Sequence, residues 1–167
     1  NIELFCKVAK NADPDRWFFV IVGQHYYSTF SKEDINALSD FISSPHGNTA
    51  DYDIFMKNEE ELNCLISKVD IIFAVYKNFQ ISSNMPSKAA FFNKPIIVSE
   101  RFLMGQIVRK YNIGHLVSED DPYRVIQAMD DLLLNPISYK NYSAYREVYN
   151  EGNMGDMLDL FITNCLE

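Results

Sequence analysis

The chain has 167 residues, of which 47% are apolar and 23% charged, and these values suit one soluble globular domain. Acidic residues outnumber basic ones by 23 to 15, and Lys and Arg form no cluster, which argues against nucleic acid as a partner. No apolar run approaches the roughly 20 residues that cross a bilayer, so we predict no transmembrane segment.

The three cysteines, Cys6, Cys64 and Cys165, are widely spaced and lack a Cys/His ligand pattern, so we predict no metal site. An odd number of cysteines without a signal peptide indicates a reducing, cytoplasmic compartment, with the inner membrane surface as an alternative location. The start at Asn1 resembles neither a signal sequence nor a natural initiator. We interpret it as a boundary inside a longer chain.

Short apolar runs alternate with helical periods along the chain, which is typical of βα units around a parallel sheet. In chain order the pattern predicts a helix over 4–10, a strand over 18–22, a helix after Ser31, a strand over 53–56, a helix after Asn58, a strand over 71–75, a helix near Pro86, strands over 95–98 and 115–117, a helix after Asp121 and a helix over 154–166.

Several of these helices have recognisable ends. Residues 31–34 resemble a capping box, and Pro122 stands at the first position of a helix that Pro136 should stop. The apolar stripes of three helices are then predicted from a period of 3.6 residues: Ile35, Leu38 and Ile42; Leu62, Leu65, Ile66 and Val69; Val125, Ala128, Met129, Leu132 and Leu133.

Ligands of open parallel sheets bind outside the carboxyl ends of the strands, which selects the loops at 23–25, 56–58, 76–84 and 99–101. The third loop ends on Ser82, Ser83 and Asn84, which are N-cap residues, and Lys88 follows about one turn later. Free backbone N–H groups, hydroxyls and an ammonium predict a cradle for a diphosphate. The alternative is an ordinary capped helix with a solvated lysine, which is commoner.

The three histidines, His25, His46 and His115, have no second ligand or nucleophile nearby in the sequence. We therefore predict that each is structural or solvated, although His25 lies in a ligand-edge loop. The chain contains no P-loop and no Gly-x-Gly-x-x-Gly or Gly-x-Ser-x-Gly motif.

From residue 58 to residue 135, the order of features resembles the donor-binding C-terminal half of GT-B glycosyltransferases, the glycosyltransferase 1/4-like group. The resemblance depends on an acidic helix start with a Leu stripe, Asp70 before a buried strand, Asn93-Lys94-Pro95 before the next strand, and 114–117 before the last helix. It implies a Rossmann-like three-layer α/β/α sandwich with a mostly parallel sheet, formed by one domain over 1–167 of a two-domain chain.

The resemblance also implies a function in polysaccharide biosynthesis, of bacterial type. A nucleoside diphosphate sugar, such as a UDP- or GDP-sugar, would be the donor, and a missing N-terminal domain would hold a glycan, polysaccharide or lipid-linked acceptor. No other cofactor is implied, no catalytic residue is assigned, and this chain alone should transfer nothing. The donor-binding residues would be Gly23, Gln24, Lys57, Asn58, Gln80, Ser82, Ser83, Asn84, Ser87 and Lys88.

The chain departs from the family pattern at three positions, one of which is Asn93 in place of the usual Gly before Lys94-Pro95. Many retaining members carry two glutamates flanking the polar loop, and the corresponding residues here are Gln80 and Lys88. Gln80 can still bind a sugar hydroxyl, whereas Lys88 cannot accept a hydrogen bond from a ribose. The alternative is therefore a non-catalytic α/β binding or assembly module. A flavodoxin-like signalling domain is disfavoured because Asp70 precedes its strand.

The family's donor domain starts with a central strand, whereas this chain starts at the helix that would follow it. The resemblance therefore implies that this innermost strand lies before Asn1 or is absent. The strands over 18–22 and 71–75 would then flank a gap. The gap and the many aromatic residues leave association with a second copy as an open alternative.

Overall fold

The computed structural model describes residues 1–44, 47–150 and 152–153. Its helices are α1 (Ile2–Asn11), α2 (Lys32–Ile42), α3 (Glu59–Lys68), α4 (Met85–Phe92), α5 (Phe102–Tyr111), α6 (Pro122–Leu134) and α7 (Tyr139–Val148), and its strands are β1 (Phe19–Val22), β2 (Thr49–Tyr52), β3 (Ile72–Ala74), β4 (Ile96–Ser99) and β5 (Gly114–Val117). The helix predicted over 154–166, Cys165 and His46 lie outside the described residues.

All strand pairings are parallel, and they form two sheets. β1 pairs with β2, and β3, β4 and β5 pair in that order. Four predicted strands are confirmed within one or two residues, but the strand predicted over 53–56 is wrong. The ladder pairs Phe19 with Thr49 and ends at Tyr52, while Ile54 and Phe55 are 51% and 69% exposed. Pairing with β1 therefore selects the less apolar segment.

The helices cover both faces of the strands, which confirms the Rossmann-like three-layer α/β/α arrangement. Helices α1, α2 and α6 pack around one buried cluster, and α3, α4, α5 and α7 pack around another. Neighbouring residues of β4 point to opposite clusters, since Ile97 belongs to the first and Ile96 and Val98 to the second. This alternation explains why β4 is a continuous apolar run.

Helix ends follow the sequence better than helix faces do. α2 begins after Ser31 with the predicted capping box, and α6 ends just before Asn135. The buried residues of α2, however, are Leu38 and Phe41, while Ile42 is 57% exposed. A period of 3.6 residues is compatible with several neighbouring apolar faces of α2. Packing against α1 determines which of them is buried.

The periodicity of apolar residues in the sequence does not predict α5 or α7. A glycine, Gly105, interrupts the apolar period of α5, and a Cβ there would lie 2.7 Å from the carbonyl oxygens of Ser99 and Glu100. α7 is rich in tyrosine, and burial of Tyr142 and Tyr145 against the second cluster stabilises it. Tertiary contacts therefore decide both helices.

The gap that the resemblance implies is present. No described backbone hydrogen bond joins β1 to β3, and a cavity of about 730 Å³ separates the two strands. We call this cavity the slot. Among the described residues, α6 is the longest helix at 13 residues, and none of these helices is long and apolar enough to cross a membrane.

Candidate functional site

The carboxyl ends of β3, β4 and β5 meet at one edge of the three-stranded sheet, where ligands of this fold class bind. The loop over 75–84 leaves β3 and reaches α4, and Ser99 is the last residue of β4. The loop over 118–121 leaves β5 beside them, and α1 begins at the same edge. We call this region the carboxyl edge.

Glu119 accepts three hydrogen bonds at the carboxyl edge. The N–H of Asn78 donates to its Oε2 at 2.8 Å, and the Ser99 hydroxyl donates to its Oε1 at 2.7 Å. The side-chain amide of Asn1 donates to the Glu119 carbonyl at 2.8 Å. One residue thus fixes the positions of three segments that are distant in the sequence. Sequence reasoning missed Glu119 because it did not include the loop after β5.

Two residues of the carboxyl edge have a left-handed backbone. Asn78 has φ of 53°, which asparagine tolerates, and Glu119 holds its N–H. Phe102 has φ of 60° at the start of α5, where a bulky side chain is strained. The Arg101 guanidinium lies 4.8 Å from the centre of the Phe102 ring. Backbone strain of this kind is concentrated at functional sites. The sequence analysis did not predict the positive φ of Phe102.

The amino end of α4 carries the predicted polar loop. Pro86 stands in the first turn as predicted, and Asn84 occupies the N-cap position without a side-chain cap bond. The Ser83 hydroxyl instead accepts the N–H of Met85 at 3.3 Å, and the Ser82 hydroxyl donates to the Ser83 carbonyl at 3.1 Å. Gln80 is exposed in the same loop.

Lys88 points from α4 to the first turn of α3. Its ammonium forms an ion pair with Glu59 and donates to Oδ1 of Asn63 at 2.7 Å. The Lys88 side chain is 11% exposed, whereas that of Glu59 is 67% exposed. Ser87 turns to another neighbour, and its hydroxyl lies 2.8 Å from that of Tyr145 on α7. Both side chains thus bind partners within the protein.

The predicted residues Lys57 and Asn58 immediately precede α3. Oδ1 of Asn58 caps the helix by accepting the N–H of Glu61 at 3.0 Å, and Glu61 in turn accepts the N–H of Lys57 at 3.0 Å. Because Glu59 follows Asn58 directly, the Glu59–Lys88 pair joins this loop to α4. The structure therefore brings the start of α3 and the start of α4 together.

Gly23 and Gln24 lie at the end of β1, in the other sheet. Gly23 has φ of 138°, which favours glycine, and donates its N–H to the Tyr52 carbonyl at 3.1 Å. Gln24 is exposed. No described hydrogen bond links either residue to the loop over 75–84, and the slot lies between the two strands.

His25 follows this turn and forms a buried pair with a carboxylate. Its Nε2 lies 2.9 and 3.1 Å from the two oxygens of Asp51, and the two side chains are 5% and 9% exposed. The His25 N–H also donates to Asp53 at 2.8 Å. Because the His25 ring is buried and binds Asp51 of β2, it holds the loop after β1 against β2. Sequence reasoning missed Asp51 because it placed the second strand too late.

The described residues contain no group of three or more His, Cys, Asp or Glu side chains arranged to hold a metal ion. The carboxyl edge has charged side chains of both signs: Lys77 and Arg101 are exposed, and Glu100 and Glu119 are the carboxylates beside them. An anionic ligand at this edge would therefore depend on local cations and backbone N–H groups.

No protein-family model matches the chain, and a search of curated proteins found no significantly similar sequence.

Proposed function

We propose that the chain binds a nucleoside diphosphate sugar at the carboxyl edge and serves as the donor half of a glycosyltransferase. The observation that carries the proposal is the Lys88 side chain, which is 11% exposed and whose ammonium pairs with Glu59, joining the first turns of α3 and α4. The two amino ends add the positive ends of two helix dipoles, and the resemblance of residues 58–135 supplies the class of ligand.

Exchange of anions at Lys88 is the central step of binding. In the free protein the ammonium is neutralised by Glu59, whose side chain is 67% exposed and can turn into solvent. A diphosphate then replaces the carboxylate at Lys88. The exposed Glu59 carboxylate competes with the ligand for one cation, so the charge of Glu59 sets the affinity.

The neighbouring predicted residues would surround the rest of the ligand. The Ser82 and Ser83 hydroxyls can turn from their present bonds toward a phosphate oxygen, and Gln80 can bind a sugar hydroxyl. Lys57 and Asn58 would border the nucleotide beside α3. Gly23 and Gln24 would contact it from across the slot.

The proposed reaction transfers the sugar to an acceptor hydroxyl. The bond between the anomeric carbon and the phosphate oxygen breaks, a bond to the acceptor oxygen forms, and the nucleoside diphosphate leaves with the electron pair. Lys88 and the amino end of α4 would stabilise the charge that develops on this leaving group. The acceptor's proton would pass to a base on the N-terminal acceptor domain.

Isothermal calorimetry with UDP, GDP and ADP tests this function on matched variants. We expect Lys88→Gln to weaken binding of the preferred nucleotide by about tenfold or more, the loss of one charge-assisted contact. We expect Glu59→Gln to strengthen binding because it removes the competing carboxylate. Lys94→Gln makes the same charge change before β4, at the opposite edge of the sheet, and should leave the affinity unchanged.

The proposal fails if no nucleoside diphosphate binds to the wild type and Glu59→Gln also binds none, with both proteins folded by circular dichroism. A specific observation favours a second function in that case. Ser87 and Lys88 already bind Tyr145, Glu59 and Asn63, so the side chains of this site are used within the fold. The chain would then be a non-catalytic α/β assembly module, in which the same substitutions change only stability.

A further inference from the structure

Helix α4 packs against both α3 and α7, and polar side chains join it to each of them. Ser87 and Lys88 are consecutive residues of α4, so their side chains leave the helix about 100° apart. The Lys88 ammonium binds Glu59 and Asn63 on α3. The Ser87 hydroxyl instead lies 2.8 Å from the Tyr145 hydroxyl on α7. The contact with α7 is therefore made by the residue next to the one that the proposed function uses.

The other end of α4 is also held by α7. The Arg146 guanidinium donates to the Ala90 carbonyl and, at 2.8 Å, to Oδ1 of Asn93, the left-handed residue that ends the helix. A cation is favourable there because it faces the negative end of the helix dipole. α7 therefore binds α4 in its first turn and at its carboxyl end.

The ring of Tyr145 is held by two other tyrosines. Tyr145 is 3% exposed, and its ring stacks on that of Tyr149 with centres 4.5 Å apart. The Tyr111 ring meets it edge-on at 5.2 Å. Because these partners contact the ring in different orientations, they fix its position. The Tyr145 hydroxyl is thus a fixed point against which the first turn of α4 is placed.

Exchange of anions at Lys88 makes this contact important. In the free protein, the ion pair with Glu59 joins the first turn of α4 to α3. That ion pair is lost when a diphosphate replaces Glu59, whereas the contacts from α7 involve neither Lys88 nor Glu59. The hydrogen bond between Ser87 and Tyr145 therefore still anchors the first turn of α4 while Lys88 changes its partner.

We infer that Tyr145 is a positioning residue for nucleotide binding: through Ser87 it holds the first turn of α4 where the Lys88 ammonium meets the diphosphate. This inference rests on the proposed function. Tyr145 is buried and acts without touching the ligand. α7, which the periodicity of the sequence does not predict, thereby contributes to the affinity of the site.

Calorimetry with UDP, GDP and ADP on matched variants tests this role. Tyr145→Phe removes the hydroxyl and keeps the ring, so we expect it to weaken binding of the preferred nucleotide about three- to tenfold, the net contribution of one hydrogen bond. In a Lys88→Gln background the same substitution should have no further effect, because Tyr145 acts through Lys88. Tyr142→Phe is the control, since Tyr142 is also 3% exposed on α7 and its hydroxyl makes no described hydrogen bond. It should leave the affinity unchanged.

Nitrogen-15 NMR of the Lys88 ammonium gives a second measurement, which needs no nucleotide. Tyr145→Phe should shift this resonance in the free protein, because the ammonium then moves relative to Glu59. Tyr142→Phe should leave the resonance in place. Circular dichroism and urea unfolding establish that both variants are folded.

Three results would overturn the inference while the wild type binds nucleotide. They are an unchanged affinity of Tyr145→Phe, an unchanged Lys88 resonance in that variant, and equal losses of affinity in the wild-type and Lys88→Gln backgrounds. Equal losses would mean that Tyr145 supports the fold as a whole rather than Lys88. Absence of binding by both the wild type and Glu59→Gln would instead refute the proposed function, and with it the role of Tyr145 in binding.

Discussion

The two described cysteines occupy opposite environments. Cys6 is 4% exposed in the first core cluster, whereas Cys64 is exposed on α3. Burial, with a smaller contribution from the carboxylates of Asp51 and Asp34, raises the pKa of the Cys6 thiol to about 12. Thiolates are the reactive form, so the chemistry of each cysteine follows from its position in the fold.

We therefore predict that iodoacetamide at pH 8 labels Cys64 in the native protein and leaves Cys6 unlabelled. Denaturant should make the two thiols react at similar rates, because burial and neighbouring carboxylates then no longer affect Cys6. Peptide mass mapping over time measures both sites in one sample, and Cys64 serves as the internal control. Rapid native labelling of Cys6 would contradict its burial against α2.

The partner of Lys88 in the structure differs from the partner that the sequence predicts. Its place after a serine-rich loop predicts a phosphate contact, but the ammonium binds Glu59, which is 29 positions away in the sequence. Hydropathy and capping patterns contain no information on that distance. The candidate site could be predicted from the sequence as a loop, but the directions of its side chains could not.

At the scale of the elements, helix caps are local and were predicted well. The Ser31 hydroxyl accepts the N–H of Asp34 at 3.1 Å, and Asp34 accepts the N–H of Ser31 at 3.1 Å. Partial burial tends to raise the pKa of Asp34, but hydrogen bonds from Ser31 and from the Glu3 N–H hold it below its ordinary 3.8. The Glu3 bond also ties the start of α1 to α2.

We predict that Asp34→Asn lowers the free energy of unfolding at pH 7 by about 1 kcal/mol, the usual contribution of a cap. Because the folded pKa of Asp34 is depressed, this stabilisation is complete above 3.8 and is lost as the pH falls through the lower folded pKa. Urea unfolding at a series of pH values should show the two proteins converging in acid.

Asp40→Asn is the matched control for this measurement. Asp40 lies on the same helix and forms an exposed ion pair with Lys10 at 3.2 Å, with side chains 67% and 70% exposed. Such pairs contribute little, so its stability should remain close to wild type. Equal effects of the two substitutions would show that charge on α2, rather than the cap, is what matters.

Strand positions were predicted less well than caps where pairing decides them. β3 and β4 are apolar on both faces and stand out in the sequence, whereas β2 reads Thr-Ala-Asp-Tyr and does not. Its backbone pairs with β1, and Asp51 uses its side chain to bind His25. β2 forms because its backbone pairs with β1, so the hydropathy of its own residues does not indicate a strand.

At the scale of the whole molecule, Glu119 connects the start of α1, the loop after β3 and the end of β4. Ser99, whose hydroxyl binds Glu119, is 6% exposed, so the hydrogen bond lies largely out of water. Bonds to a charged acceptor in such a place are stronger than average. The carboxyl edge is therefore held together by a residue outside all of the strands.

We predict that Glu119→Gln lowers the free energy of unfolding by about 1–3 kcal/mol, because an amide replaces one of its two acceptor oxygens with a donor. Urea unfolding followed by tryptophan fluorescence measures the loss. Glu60→Gln, on the exposed first turn of α3, makes the same chemical change and should cost much less. A wild-type-like Glu119→Gln protein would mean that the three segments hold their positions without this carboxylate.

The sequence by itself determined the class of fold, most strands and the ends of several helices, because these depend on local hydropathy, caps and prolines. Only the tertiary structure decided the partner of Lys88, the position of β2, the face of α2 and the role of Glu119. Each of these depends on contacts between residues far apart in the chain. The slot depends on both: the family resemblance implied a gap between two strands, and the structure shows a cavity with β1 on one side and β3 on the other.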